Sequence, residues 1–129
     1  MTWNGKLIDL GSFNNPCNRV AAWNGTTWEC LGGGVGLVAR AGTVWNGNLV
    51  VVGDFWNVFQ PCTNCNGVAM WDGTQWTNIG AGFNNDVLCI TVWDGDLVVA
   101  GDFTQSNGVP CNRIARWTGT VWEQIGPNN

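Results

Sequence analysis

The sequence predicts an all-β fold, and three observations support this prediction. A strand–turn–strand segment recurs three times, as TWNGKLIDLGSFN, VWNGNLVVVGDFW and VWDGDLVVAGDFT. The chain has 19 Gly, several of them in Asn-Gly or Asp-Gly pairs that accept the positive φ of tight hairpin turns. It has no long window typical of a helix. A chain of 129 residues with these features has room for one compact unit.

Each repeat unit contains the same landmarks in the same order. A Gly follows the first Trp at a constant distance, and a second Trp-x-Gly and a third Trp come later. The length differences fall in one loop, as expected because loops tolerate insertions better than strands do. The six Trp-x-Gly sites predict two-residue hairpin turns, and therefore four strands in a complete unit. The units begin at Trp3, Trp45 and Trp93 and span residues 3–44, 45–92 and 93–129.

The four strands are clearest around the third unit, where A at 87–93 leads into its first Trp and B at 96–103, C at 112–117 and D at 121–125 follow. Strands A and B are apolar on both faces, which indicates a sheet covered on both sides by other sheets. Such sheets, repeated about every 40 to 50 residues, are typical of β-propeller blades. The first unit starts at its B strand, so we expect its inner strand to be missing, with about 11 strands and about 2.75 blades in all.

These strands resemble the kelch repeat. An apolar strand, a turn, LVVVGDF, a loop and VAMWDGTQW follow one another as in that family, where a Gly-Gly pair closes the second strand and a Trp lies on the fourth. The chain departs from the family at this pair, which is Gly53-Asp54 and Gly101-Asp102, and it has no Tyr. It is more similar to the Trp-, Asn- and Gly-rich WNG propeller repeats of bacterial surface or secreted proteins, through RIARWTGTVWEQIG. The resemblance implies a fold and transfers little about function.

The blade count predicts a segment of a larger or oligomeric propeller. Propellers usually have about 4 to 8 blades, and blades that cannot cover their apolar faces are unstable alone. The chain is then either a window of a longer polypeptide or a subunit that assembles into a ring or a filament. We favour a homo-oligomer, because bare apolar sheet faces promote association.

Composition limits the partners. Hydrophobic residues make up 45% of the chain and charged residues 11%, with a net charge of −4. This balance argues against nucleic acid, which is bound mainly by clustered Lys and Arg. No apolar run approaches the roughly 20 residues of a membrane span, so we expect no membrane insertion. The N-terminal MTWNGKLIDLG has no signal-peptide features, and we expect a secreted or cell-surface protein whose signal is not present in this chain.

The residue types predict that the chain is not an enzyme. It has no His and no Tyr, which removes the commonest general base and any Ser-His-Asp triad. Most carboxylates recur at equivalent repeat positions or in turns, whereas a catalytic pair would more often occur once. We therefore expect no catalytic residue, no cofactor and no metal, and a hydrolase-type enzyme is the remote alternative.

Six Cys predict structural disulfides. Cys17 and Cys30 flank the first C–D hairpin and would come close across it. Cys62 and Cys65, in PCTNC, would close a small loop, since a zinc site would require a second ligand pair that is not visible. Cys89 and Cys111 have no clear partner. Disulfides favour an oxidising compartment.

Nine of the ten Trp recur at repeat positions and are read as packing residues, whereas one opens the longest loop outside the pattern. An exposed aromatic among amides suits a sugar ring and its hydroxyls, although the same Trp would also serve to hold the loop on the blade. The candidate ligand-binding residues are Trp56, Asn57, Gln60, Asn64, Asn66, Asn84, Asn85 and Asp86.

We favour a structural or interaction module, a repeat-built propeller subunit that self-assembles or displays loops to a partner. Its partners would be further copies of itself, and glycans or another protein are the other partner classes. The main alternative is a carbohydrate-binding, lectin-like propeller.

Overall fold

The structure is a computed structural model that describes residues 1–55 and 65–127. These residues form strands, turns and loops without a helix, and so contain no helix that could cross a membrane. The strands are β1 (Thr2–Trp3), β2 (Lys6–Leu10), β3 (Val20–Trp23), β4 (Trp28–Cys30), β5 (Val38–Trp45), β6 (Asn48–Asp54), β7 (Val68–Trp71), β8 (Trp76–Asn78), β9 (Val87–Trp93), β10 (Asp96–Gly101), β11 (Gln105–Ser106), β12 (Val109–Pro110), β13 (Ile114–Trp117) and β14 (Trp122–Gln124).

In the described part of the chain, twelve of these strands form three four-stranded antiparallel sheets, which are β-propeller blades. Blade 1 has the order β1-β2-β3-β4, blade 2 β5-β6-β7-β8 and blade 3 β9-β10-β13-β14. The remaining strands, β11 and β12, form a hairpin within the loop between β10 and β13. The inner strand of blade 3, β9, lies against the inner strand of blade 2, β5, which in turn contacts β2 of blade 1.

The expected absence of an inner strand in blade 1 is wrong, and so is the expected total of 11 strands. Thr2 and Trp3 pair with Leu7 and Lys6 as β1, which completes the sheet. This strand has two residues, against eight in β5 and seven in β9. Two residues before a turn are too short to show a periodic pattern, which is why the sequence did not indicate a strand there.

The hairpins between the first and second strands of each blade have the predicted two-residue turns. Both central residues have positive φ, as a type I′ turn requires. These residues are Asn4 and Gly5, Asn46 and Gly47, and Asp94 and Gly95. A fourth turn of this kind, Asn107-Gly108, joins β11 to β12 and was not among the predictions.

The prediction of two-residue turns is wrong for the hairpins between the third and fourth strands. Trp23 ends the third strand and pairs with Trp28, which begins the fourth, so the loop between them has four residues. The first loop residue is Asn24, Asp72 or Thr118, and its side-chain oxygen accepts hydrogen bonds from the backbone N–H groups two and three positions later. These side chains therefore close the loops as Asx or Ser/Thr turns do.

Two hydrophobic clusters fill the spaces between blades. The cluster between blades 1 and 2 includes Ile8 and Val20 from one sheet and Leu49 and Trp76 from the other. The cluster between blades 2 and 3 repeats the arrangement with the other face of blade 2, from which Val50 and Val68 point towards blade 3. Because side chains alternate between the faces of a strand, blade 2 is covered on both faces.

Candidate functional site

The blades are joined by indole hydrogen bonds that repeat at both interfaces. Trp3 Nε1 donates to the carbonyl oxygen of Gly47 at 2.9 Å, from the inner strand of blade 1 to the first turn of blade 2. Trp45 Nε1 donates to Gly95 O at 3.0 Å, from blade 2 to blade 3. Each of these bonds runs forward along the chain, from a blade to the next one.

A second set of indole hydrogen bonds runs backward. Trp76 Nε1 in blade 2 donates to Leu31 O of blade 1 at 2.8 Å. Trp122 Nε1 in blade 3 donates to Ile79 O of blade 2 at 2.9 Å. The two donors are 1% and 3% exposed, so these bonds are shielded from water. A blade–blade interface thus has one forward and one backward indole hydrogen bond.

The outer faces of blades 1 and 3, which we call the end faces, leave the corresponding Trp uncovered. Trp93 occupies the position of Trp3 and is 61% exposed, against 7% for Trp3. Trp28 occupies the position of Trp76 and is 39% exposed. Within the described residues neither indole N–H donates a hydrogen bond.

Aliphatic residues of the end faces show the same contrast. Leu7, in blade 1, is 49% exposed, although Leu49 and Leu97 at the same repeat position are completely buried. Ile114 and Ile125, in blade 3, are each 37% exposed. The residues at the same repeat positions in the other blades are 5% exposed or less. They are Val20 and Val68 at the position of Ile114, and Leu31 and Ile79 at the position of Ile125.

The glycine after the last strand of each blade gives an independent indication of the end face. A Cβ on Gly32 would lie 3.0 Å from the Trp71 ring of the next blade, and one on Gly80 would lie 2.8 Å from the Trp117 ring. Gly126 has nothing within 4 Å of that position. The next blade therefore covers the first two glycines and leaves the third open.

Each end face also has a charge where the internal interfaces are apolar. Asp9 is opposite Ala21 in blade 1, at the position that Val51 and Val99 occupy in the other blades. Arg116, at the position of Ala22 and Met70, lies 3.0 Å from Glu123 and 3.8 Å from Asp96. Arg116 is thus paired with carboxylates of its own face, whereas Asp9 brings a single acidic group to the blade 1 end face.

Half of the residues predicted to bind a ligand lie outside the described residues, namely Trp56, Asn57, Gln60 and Asn64. Of the rest, Asn66 and Asn84 line one open groove of about 540 Å³ together with Gln105 and Asn107. Asn84 Oδ1 accepts the backbone N–H groups of Thr104 and Gln105 at 2.9 and 3.1 Å, and its amide nitrogen donates to Thr104 Oγ1 at 2.9 Å. This side chain fixes the loop, which leaves it little free hydrogen-bonding capacity.

Asn85 and Asp86 do not line this groove. Asn85 Oδ1 accepts the backbone N–H of Asp86 at 2.8 Å. Burial raises the pKa of Asp86, the nearby charge of Asp54 raises it further, and Arg40 opposes both. Arg40 in turn forms a bidentate pair with Asp54, which raises the pKa of the guanidinium.

A second cavity, of about 390 Å³, lies beside the β11–β12 hairpin. Val109, Val121 and Trp122 give it apolar walls, and Ser106 and Gln124 lie among its polar residues. Ser106 Oγ donates to Gly82 O and is buried, so this hydroxyl is already used. The cavity therefore offers mostly apolar contact.

The structure defines the state of four cysteines, of which two form a disulfide and two are free thiols. Cys17 and Cys30, the pair for which the sequence predicts a bridge, are joined with Cα atoms 5.3 Å apart. The predicted Cys62–Cys65 bridge involves Cys62, which lies outside the described residues. Cys89 is free and exposed, and Cys111 is free and buried, with burial raising the pKa of its thiol. In residues 1–55 and 65–127 no cluster of acidic or Cys side chains could hold a metal ion.

The end faces were not among the predicted site residues. The sequence repeat contained a signal, because Trp28 lies at the position of the buried Trp76 and Trp93 at the position of the buried Trp3. The repeat pattern indicated packing for all nine repeated Trp, because a repeat position alone does not state which of them lack a neighbouring blade.

Comparison with known proteins agrees with this fold. Residues 94–117 match a family described as a domain of unknown function (DUF5122) beta-propeller. The match starts at the first turn of blade 3 and ends at Trp117, so it includes β10 to β13. No curated protein and no solved structure matches the chain. The chain is thus built from propeller-type repeats, and its propeller domain is a structural or interaction module.

Proposed function

We propose that this chain is a structural module that associates with further copies of itself through its end faces. The observation that supports this function is the exposure of Trp28 and Leu7, whose repeat equivalents are buried between blades, and of Trp93, which is far more exposed than Trp3 at the same position. Large exposed apolar patches on soluble proteins mark interaction surfaces. A surface with the composition of an internal blade interface is suited to bind another blade.

The role would be to present loops repeatedly on an assembled scaffold. The loops between the second and third strands differ in length from blade to blade, whereas the strands keep their spacing. Assembly multiplies such loops on one particle, so that weak contacts add through their high effective concentration. This role uses no catalytic group, in keeping with the predicted lack of an enzymatic function and of a cofactor.

The test is the particle mass in solution, measured by sedimentation or light scattering across a range of protein concentrations. We expect a mass that rises from 13.9 kDa for one chain to a multiple of it. Weak contacts have a Kd of up to about 1 mM. A single-chain mass at all concentrations up to this value would contradict self-association.

We also propose that the repeats are kelch-like, of the WNG type, and that the protein acts outside the cell. The Trp on the third and fourth strands and the Gly after the fourth support the first proposal. The Cys17–Cys30 disulfide supports the second, since such bonds persist in oxidising compartments. Mass spectrometry of the protein from its native source, with and without reduction, tests whether the bond is present there.

Carbohydrate binding is the second candidate function. The groove lined by the amides of Asn66, Gln105 and Asn107 supports it, because amides bind sugar hydroxyls. Glycan-array binding that is lost in Gln105→Ala would establish it, with Gln75→Ala as a control of the same residue type in a loop outside the groove. The absence of binding to any glycan would refute it and would leave self-association unaffected.

A further inference from the structure

We propose that copies meet head to tail, with the blade 3 end face of one copy on the blade 1 end face of the next, and close into a six-bladed ring of two copies. This inference rests on the self-association proposed above and adds the orientation and the contacting residues.

The internal interfaces have a direction. At each of them the earlier blade supplies a forward indole hydrogen bond, and the later blade supplies a backward one. The later blade also covers the glycine that follows the last strand of the earlier blade. The free face of blade 3 has the groups that an earlier blade supplies, which are the forward indole donor and the glycine to be covered. The free face of blade 1 has the groups that a later blade supplies, which are the backward indole donor and the covering Trp. One type of end face is therefore complementary to the other and not to itself.

Three specific contacts follow from the repeat positions. Trp93 of one copy would donate its indole N–H to Gly5 O of the next, as Trp3 does to Gly47. Trp28 would donate to Ile125 O of the preceding copy, as Trp76 does to Leu31. Trp23 would cover Gly126, as Trp71 covers Gly32. These contacts would remove from solvent the Trp and aliphatic side chains that are now exposed.

Ring closure limits the number of copies. Each copy contributes three blades from its described residues. Propellers usually contain about 4 to 8 blades, so one copy has too few and three copies would have too many. Two copies make a ring in which both interfaces are of the same head-to-tail kind, and no end face is left over.

The experiment uses two variants that each block one end face. Ile114→Lys places a charge on the blade 3 end face, and Leu7→Lys places one on the blade 1 end face. Both residues are exposed in the single chain, so both variants should fold, which circular dichroism checks. Leu37→Lys is the matched control, because Leu37 is 52% exposed and lies in the chain segment that joins β4 to β5, outside either end face.

We expect twice the single-chain mass for the wild type and for Leu37→Lys, and the single-chain mass for each blocked variant. A mixture of the two blocked variants should recover particles of two chains, because the free blade 1 face of one fits the free blade 3 face of the other. If either blocked variant keeps the full mass alone, or if the mixture recovers none, the head-to-tail contact is wrong although self-association holds. A single-chain mass for the wild type would instead refute self-association itself.

Quenching of Trp fluorescence by acrylamide gives a second measurement. In the wild type, quenching should decrease as association buries Trp93 and Trp28. In Trp93→Phe/Trp28→Phe the concentration dependence of quenching should become smaller, because only Trp23 of the blade 1 end face still changes its exposure. If the wild-type mass doubles over a concentration range and quenching does not change over the same range, another surface forms the contact.

Discussion

Blade 2 and the two end blades contain the same landmarks but differ in surroundings. In blade 2, Leu49 and Trp76 are packed against blade 1, and Val50 and Val68 are packed against blade 3. In the end blades, residues at the same positions are exposed on the free face, as Leu7 is. The difference shows that burial in this chain depends on the presence of a neighbouring blade rather than on the type of residue.

The end faces and the internal interfaces also differ in charge. Asp9 and Arg116 lie on the free faces, and the internal interfaces have apolar residues at the same repeat positions. Burying a charge without a partner is costly, so a charge at these positions is compatible only with a partly solvated or paired environment. The end faces are therefore modified versions of an internal interface, with a polar component that suits contact between separate molecules.

Replacing an equivalent Trp in the middle and at an end of the stack tests the comparison most strongly. Trp76→Ala should lower the free energy of unfolding by about 3–5 kcal/mol, because it empties a buried site and removes the hydrogen bond to Leu31 O. Trp28→Ala, at the same repeat position, should cost about 1 kcal/mol. Urea denaturation at protein concentrations where the chain is single measures both. Equal losses would show that the blade 1 end face is not a free surface.

Two glycines at the same repeat position allow a second comparison between a covered and a free blade face. Gly80→Ala and Gly126→Ala both place a side chain at a positive φ, of 63° and 80°, so this cost largely cancels between them. The Cβ at residue 80 would also lie 2.8 Å from the Trp117 ring. We expect Gly80→Ala to be less stable by a further 1–3 kcal/mol, approximately the cost of overpacking. Melting curves of the two variants test this, and an equal loss at residue 126 would contradict it.

The smallest expected effect concerns the outer turns. Backbone N–H groups of Gln75 and Thr74, and the Thr74 hydroxyl, lower the pKa of Asp72. A carboxyl whose pKa is lower in the folded state stabilises the fold above its unfolded pKa, about 3.9, and this contribution is lost as the pH falls through the folded pKa. Asp72→Asn would give blade 2 the turn residue of blade 1, where Asn24 does not titrate.

The advantage of the wild type over Asp72→Asn should therefore be present at neutral pH and decrease below about pH 4. The free energy of unfolding of both proteins, measured at several pH values, gives this difference. A difference that stays constant with pH would show that the charge of Asp72 does not contribute.

The sequence was informative about strands and less so about contacts between sheets. The Trp-x-Gly spacing predicted β9 with the bounds that the structure has, because a two-residue turn fixes the end of the strand. The structure begins β13 at Ile114 and β14 at Trp122, each later than predicted. The loop before β14 is closed by the Thr118 side chain, and Arg113, directly before β13, has a positive φ that does not belong to a strand. The spacing of Trp23 and Trp28 already implied a four-residue loop, but the Asn-Gly pair was given more weight.

The candidate site was not predicted, for a physical reason. Whether Trp93 packs or is exposed depends on what lies beside blade 3, and no local pattern in the sequence states this. The direction of an indole N–H is likewise set by the stacking of sheets, so Gly47 and Leu31 could not be recognised as acceptors. Residues close in sequence, such as Asn84 and Asn85, were grouped together, although only the first lines the groove.

The Trp pairs on the outer strands have an optical consequence. Their ring centroids are 5.2 to 5.3 Å apart and their planes are inclined by 53° to 56°. Because the three pairs have the same cross-strand register, their excited states should couple with the same handedness, and the resulting circular dichroism bands should add. The pairs are Trp23–Trp28, Trp71–Trp76 and Trp117–Trp122. Each blade thus contains its own chromophore, and the order of its outer hairpin can be followed without a label.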